Sequence, residues 1–80
     1  MWVRVRPSVA QGEIWVEYGG GSGAGVVEVY DGLGRRIWRG EAVGKEGQLR
    51  IGTAGWGSGV YVVVVRDGQQ VKVEQVRVVR

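Results

Sequence analysis

The stretch Gly59-Val60-Tyr61-Val62-Val63-Val64-Val65-Arg66-Asp67-Gly68, followed after two residues by Val71-Lys72-Val73-Glu74-Gln75-Val76-Arg77-Val78-Val79-Arg80, decides the fold class. Val is stiff at χ1 and packs well on a pleated surface, so both runs read as strands. Asp67-Gly68 between them is a hairpin signal, because Gly reaches the positive φ of a tight turn without steric cost. The same pairing of a strand-length run with a closing Gly, Asp or Pro recurs upstream. It is found at Trp2 to Arg6, Glu13 to Tyr18, Gly25 to Asp31, Arg35 to Ala42 and Gln48 to Gly52. Counting Val60 to Arg66 and Val71 to Val79, that makes seven strands, and no segment carries a helical period.

Eighteen Val and sixteen Gly against one Pro and no Phe suit such a chain. Eighty residues make one domain, 1–80, that buries only about 60% of the surface its unfolded form exposes, so the core must be small and well packed. Without Cys or His there are no disulfides, no thiolate or imidazole metal sites, and no Ser-His or Cys-His chemistry. The net charge of +3 comes from signs interspersed along the chain, as on a solvated surface. Met1 to Arg6 lacks the apolar run of a signal peptide, and no stretch is apolar for the length of a membrane helix. The expectation is all-β: a seven-stranded antiparallel immunoglobulin-like β-sandwich, with a small barrel as the competing topology.

Alternation assigns the faces. Ile14, Val16 and Tyr18, then Val27 and Val29, then Ile37, Leu49 and Ile51, and across from them Tyr61, Val63 and Val65, are the expected core. In the last strand Val71 and Val73 share one parity and Val76 and Val78 the other, so a bulge near Glu74 and Gln75 is expected to turn all four inward. Val62 and Val64 are anomalous, because with Tyr61, Val63 and Val65 inside, the alternate positions should be polar if water covered them. Something is expected to cover them: Trp side chains from adjacent strands, or a partner.

Gly19-Gly20-Gly21-Ser22-Gly23-Ala24-Gly25 has the composition of a flexible coil. A phosphate-cradling loop would need a following helix, whereas a strand follows here. Asp31-Gly32-Leu33-Gly34 reads as a tight hairpin turn rather than a calcium loop, since no further oxygen ligands lie nearby. The eight acids are spread singly, and Glu13 and Glu17 lie too far apart along one strand to share a proton. No catalytic residue and no cofactor is therefore expected. Trp15 and Trp38 have the parity of outward positions and are the candidates for stacking on sugar, whereas Glu13 and Glu17 beside Trp15 would repel the phosphates of a nucleic acid.

Together these segments resemble a known family. The order Ile14-x-Val16, Val27-x-Val29-Tyr30-Asp31-x-x-Gly34-Arg35-x-Ile37, Leu49-x-Ile51 and Gly59-Val60-Tyr61-x-Val63-x-Val65, ending in a Val-rich basic strand, resembles the type A C-terminal sorting domain of the type IX secretion system. Asp31, Gly34, Gly59 and Tyr61 carry the resemblance. It implies a sandwich placed after a cargo domain in a Gram-negative bacterium, passing through the periplasm to the medium or the cell surface. It also implies recognition by the outer-membrane secretion machinery and removal by a sortase-like peptidase. The final hairpin is the expected recognition element, through Val62 and Val64 with Arg77 and Arg80, and edge strands leave room for a homodimer. The alternatives are an immunoglobulin-like adhesion or carbohydrate-binding module that uses Trp15 and Trp38, and an engineered β-sandwich.

Overall fold

The computed structural model describes residues 1–80 as eight strands and no helix. They are β1 (Trp2–Arg6), β2 (Val9–Ala10), β3 (Glu13–Gly19), β4 (Gly23–Tyr30), β5 (Arg36–Gly44), β6 (Gly47–Gly52), β7 (Gly59–Asp67) and β8 (Gln70–Val78). Two sheets form a sandwich, one of three strands in the order β1-β3-β6 and one of five in the order β2-β8-β7-β4-β5. The strand not anticipated is β2. It is only two residues long and pairs parallel to the end of β8, Val9 opposite Arg77 and Ala10 opposite Val78, and every other pairing is antiparallel.

The core forms where the inner faces meet. Ile14, Val16, Tyr18 and Ile51 of the small sheet pack on Val27, Val29, Tyr61, Val63 and Val65 of the large one, and Leu49 is half-buried against them. Ala10, Ala42, Val76 and Val78 complete the cluster. The Tyr18 hydroxyl donates to the Val43 carbonyl at 2.8 Å, which ties β3 of one sheet to β5 of the other.

Two expected faces are reversed. On β5 the inward residues are Trp38, Gly40 and Ala42, and Ile37 is 37% exposed. The register slips there, with Val29 opposite Trp38 but Tyr30 opposite Arg36, so Ile37 is the extra residue of a β-bulge. On β8 there is no bulge. The two-residue turn Gly68-Gln69, with Gly68 at φ 60°, starts a hairpin that stays in register from Asp67 opposite Gln70 to Gly59 opposite Val78. Val76 and Val78 therefore point inward, while Val71 and Val73 point outward at 46% and 58% exposure. Lys72 and Glu74 share the inward side with Val65 and Val63 yet are exposed, so at that end the small sheet covers β7 but not β8.

The Gly-rich connection is held in place instead of being a free coil. Gly23 to Gly25 belong to β4, and the Ser22 amide donates to Asp67 Oδ2 at 2.7 Å. A Cβ on Gly21 would come within 2.7 Å of that same oxygen, so the tight approach requires glycine.

Candidate recognition face

The β7–β8 hairpin sits inside the large sheet, with β4 on one side of it and β2 along part of the other. Opposed residues in an antiparallel pair point to the same face, so the register builds the outer surface row by row. Val60 lies beside Arg77, Val62 beside Gln75, Val64 beside Val73, and Arg66 beside Val71. Val60, Val71 and Val73 are 41%, 46% and 58% exposed, and Val62 is half-buried. They form a surface apolar stripe of the kind that marks contact sites.

Val64 lies deeper than the sequence implies. It is buried at 7%, between Val73 of β8 and Glu28 of β4, so the chain itself covers it and it forms the floor of the stripe. Beside it Glu28 accepts from Arg36 Nη1 and from Arg66 Nε, each at 3.0 Å. These two guanidinium donors, Arg36 first, hold its carboxyl below the usual range and keep it charged. Apolar stripe and charged cluster therefore adjoin on one face.

Arg77 and Arg80 are both exposed and lie at the far end of this surface. The Arg77 amide donates to the Ser8 carbonyl at 2.9 Å and the Arg80 amide to Ser58 Oγ at 3.1 Å, so the backbone there is tied down while the guanidinium groups face solvent. The β8 edge is closed at this end by β2, leaving only its first part, before Arg77, without a neighbouring strand.

The motif residues have structural roles. Asp31 Oδ1 accepts from the amides of Leu33 and Arg35, each at 2.9 Å, and Gly34 adopts φ 81°, so the sequence Asp31 to Arg35 closes the β4–β5 hairpin. Those donors, the Arg35 amide first, keep the Asp31 carboxyl below its ordinary value. Tyr61 is buried and donates to the Gly57 carbonyl at 2.6 Å. Close approach does not select glycine at position 59, where a Cβ would meet nothing within 4 Å.

The two sugar-stacking candidates do not form a platform. Trp38 packs inward on the core, because the bulge reverses its face. Trp15 is half-buried on the outer face of the small sheet, with Arg6 and Arg50 opposite it on either side. Glu17 on that face pairs with Arg4 and Arg6 at 2.9 Å, and Glu13 pairs with Arg50 at 3.1 Å. The two acids thus neutralise neighbouring arginines and do not converge on each other. Sequence reasoning missed Val60, Val71 and Val73 as outer-face residues, and the signal that finds them is the uninterrupted hairpin register set by Gly68.

Comparison with known proteins agrees with this architecture. No curated protein shows a significant match to the chain. Among solved structures, a protein described as PorZ, an essential bacterial surface component of the type-IX secretion system of Porphyromonas gingivalis, has a TM-score of 0.79 and 24% identity. The alignment covers 98% of this chain and 11% of that one, so the likeness is of fold and the chain spans about a tenth of that protein's length. The family profile described as the secretion system C-terminal sorting domain matches residues 5–79. Nearly the whole sandwich is thus accounted for by one family, the one its motif order resembles, and the chain belongs to the secretion system C-terminal sorting domains.

Proposed function

We propose that this domain is a non-catalytic type IX export signal, read by the outer-membrane translocon through the outer face of β7 and β8. The observation that carries the reading is the apolar stripe Val60, Val62, Val71 and Val73, which stands over the buried Val64 where water-facing positions would ordinarily be polar. Arg77 and Arg80 at its end add positive charge that steers approach to an acidic surface. Family membership supports a sorting role and a secreted or cell-surface destination for the attached cargo. Passage through the periplasm and removal of the domain by a sortase-like peptidase complete the proposal.

The test is a reporter fused in front of the domain in a bacterium that has this route. Val62→Thr with Val73→Thr leaves the inner face intact and should lower the secreted fraction by at least about tenfold while the purified domain keeps its melting temperature. Arg77→Ala with Arg80→Ala should have a smaller effect. Normal export of a correctly folded Val62/Val73 variant would refute the outer face as the recognition element. Failure of the unaltered fusion to be exported would refute the signal itself.

A further inference from the structure

Trp38-Arg39-Gly40-Glu41-Ala42, the middle of β5, is complementary to itself when a second copy runs antiparallel to it. We propose that β5 pairs with β5 of a second copy of this chain around a two-fold axis at Gly40, making one ten-stranded sheet across a homodimer. This surface lies on the opposite edge of the large sheet from β8 and is independent of the sorting proposal.

The terminal strand β5 is bonded only to β4, so one row of its backbone N–H and C=O groups has no strand partner. Such an edge is a template for strand addition. With Gly40 opposite Gly40, Arg39 falls opposite Glu41 of the second copy and Trp38 opposite Ala42, and the axis generates each pair twice. Opposed residues share a face, with Cβ atoms about 5 Å apart, so the two charges meet directly.

Within one chain these two side chains lack that satisfaction. Arg39 and Glu41 are exposed and take no part in any of the salt bridges. Across β4, Arg39 faces Glu28, whose two carboxylate oxygens already accept from Arg36 and Arg66, and Glu41 faces Val26, which offers no donor. Just beyond, Val43 is 70% exposed and Ile37 37%, so each end of the paired segment brings apolar surface to its partner.

The register is specified. A shift by one residue puts charged side chains on the wrong face. A shift by two in either direction sets Glu41 against Glu41 or Arg39 against Arg39 at the axis, and like charges directly opposite are destabilising. An edge defended simply by charge would repel a second copy in every register. This one repels in the neighbouring registers and attracts in the central one.

Sedimentation equilibrium of the chain from micromolar to millimolar concentration should show a monomer–dimer equilibrium. Arg39→Glu and Glu41→Arg, each made alone, should weaken dimerisation by about tenfold or more, because both cross-strand pairs become repulsive. Circular dichroism should stay unchanged in both, and so should the melting temperature of Glu41→Arg, which faces only Val26; Arg39→Glu stands opposite Glu28 and should melt somewhat lower while remaining folded. The double variant R39E/E41R should dimerise like the original chain, and an equal mixture of the two single variants should form heterodimers. A chain that stays monomeric at millimolar concentration would overturn the proposal. So would a dimer indifferent to the single reversals, or a folded double variant that fails to regain association.

Discussion

Tyr61 shows how much one side chain does in a core this small. It is buried at 7%, its ring lies 5.0 Å from that of Trp56 at a 37° tilt, and its hydroxyl reaches Gly57. Tyr61→Ala should cost about 3–5 kcal/mol in urea unfolding, and Tyr61→Phe about 1 kcal/mol, the separate contribution of the hydrogen bond. Alternation made Tyr61, Val63 and Val65 legible because a large apolar residue stands at each of the three central inward positions of β7. It failed on β5 because two of the three inward positions are Gly40 and Ala42, too small to mark a face, and the third is a Trp that reads equally well as exposed. Gly40 is small for a reason: a Cβ there would overlap Cη2 of the Trp38 ring. Gly40→Ala should therefore destabilise by about 1–3 kcal/mol, whereas the smaller backbone entropy of Ala would otherwise favour the change, and Trp fluorescence should report a displaced Trp38. An unchanged melting curve and emission spectrum would mean the indole ring has room to move aside.

At the scale of elements, hairpins whose turn and strands are adjacent in sequence were legible, while contacts made over long separations were not. Asp67-Gly68 and Asp31 to Gly34 carry their turn chemistry within a few residues. The connection between β3 and β4 looks like coil because the group that orders it, Asp67, lies 45 residues beyond Ser22. The short β2 was invisible for the same reason, since two residues have no period and Val9 and Ala10 become a strand only through β8. Burying every Val of β8 would take a bulge, whereas the continuous register exposes Val71 and Val73 and so creates the candidate site. Asp67→Ala tests the long-range tie. Amide exchange at Gly21 and Ser22 should accelerate by at least about tenfold, with the centre of β7 still protected, since loops held by few bonds open locally. Equal acceleration in β7 would show instead that Asp67 supports the whole sandwich.

For the whole molecule, the pattern of carboxylates sets the response to acid. Glu13, Glu17, Glu28, Asp31 and Asp67 all lie below their ordinary values. Arginine hydrogen bonds lead for the three Glu, the Arg35 amide for Asp31, and the Ser22 hydroxyl and amide for Asp67. A carboxylate with a depressed folded value binds fewer protons folded than unfolded over the interval between the two values. Its stabilisation is complete above the ordinary values of 4.5 for Glu and 3.8 for Asp, and is lost as pH falls through the depressed ones. Repulsion acts in the same direction, because protonating all eight acids leaves eleven basic side chains unopposed in an 80-residue chain. The melting temperature should accordingly stay level from neutral pH down to the ordinary Glu value and fall steadily below it. Added salt should restore part of the loss by screening the repulsion. Glu28→Gln should make the acid limb shallower, since it removes one of the titrating groups, and should lower stability at neutral pH by releasing Arg36 and Arg66 from their shared acceptor. A melting temperature level down to about pH 3 would contradict the depressed carboxylates as a source of stability.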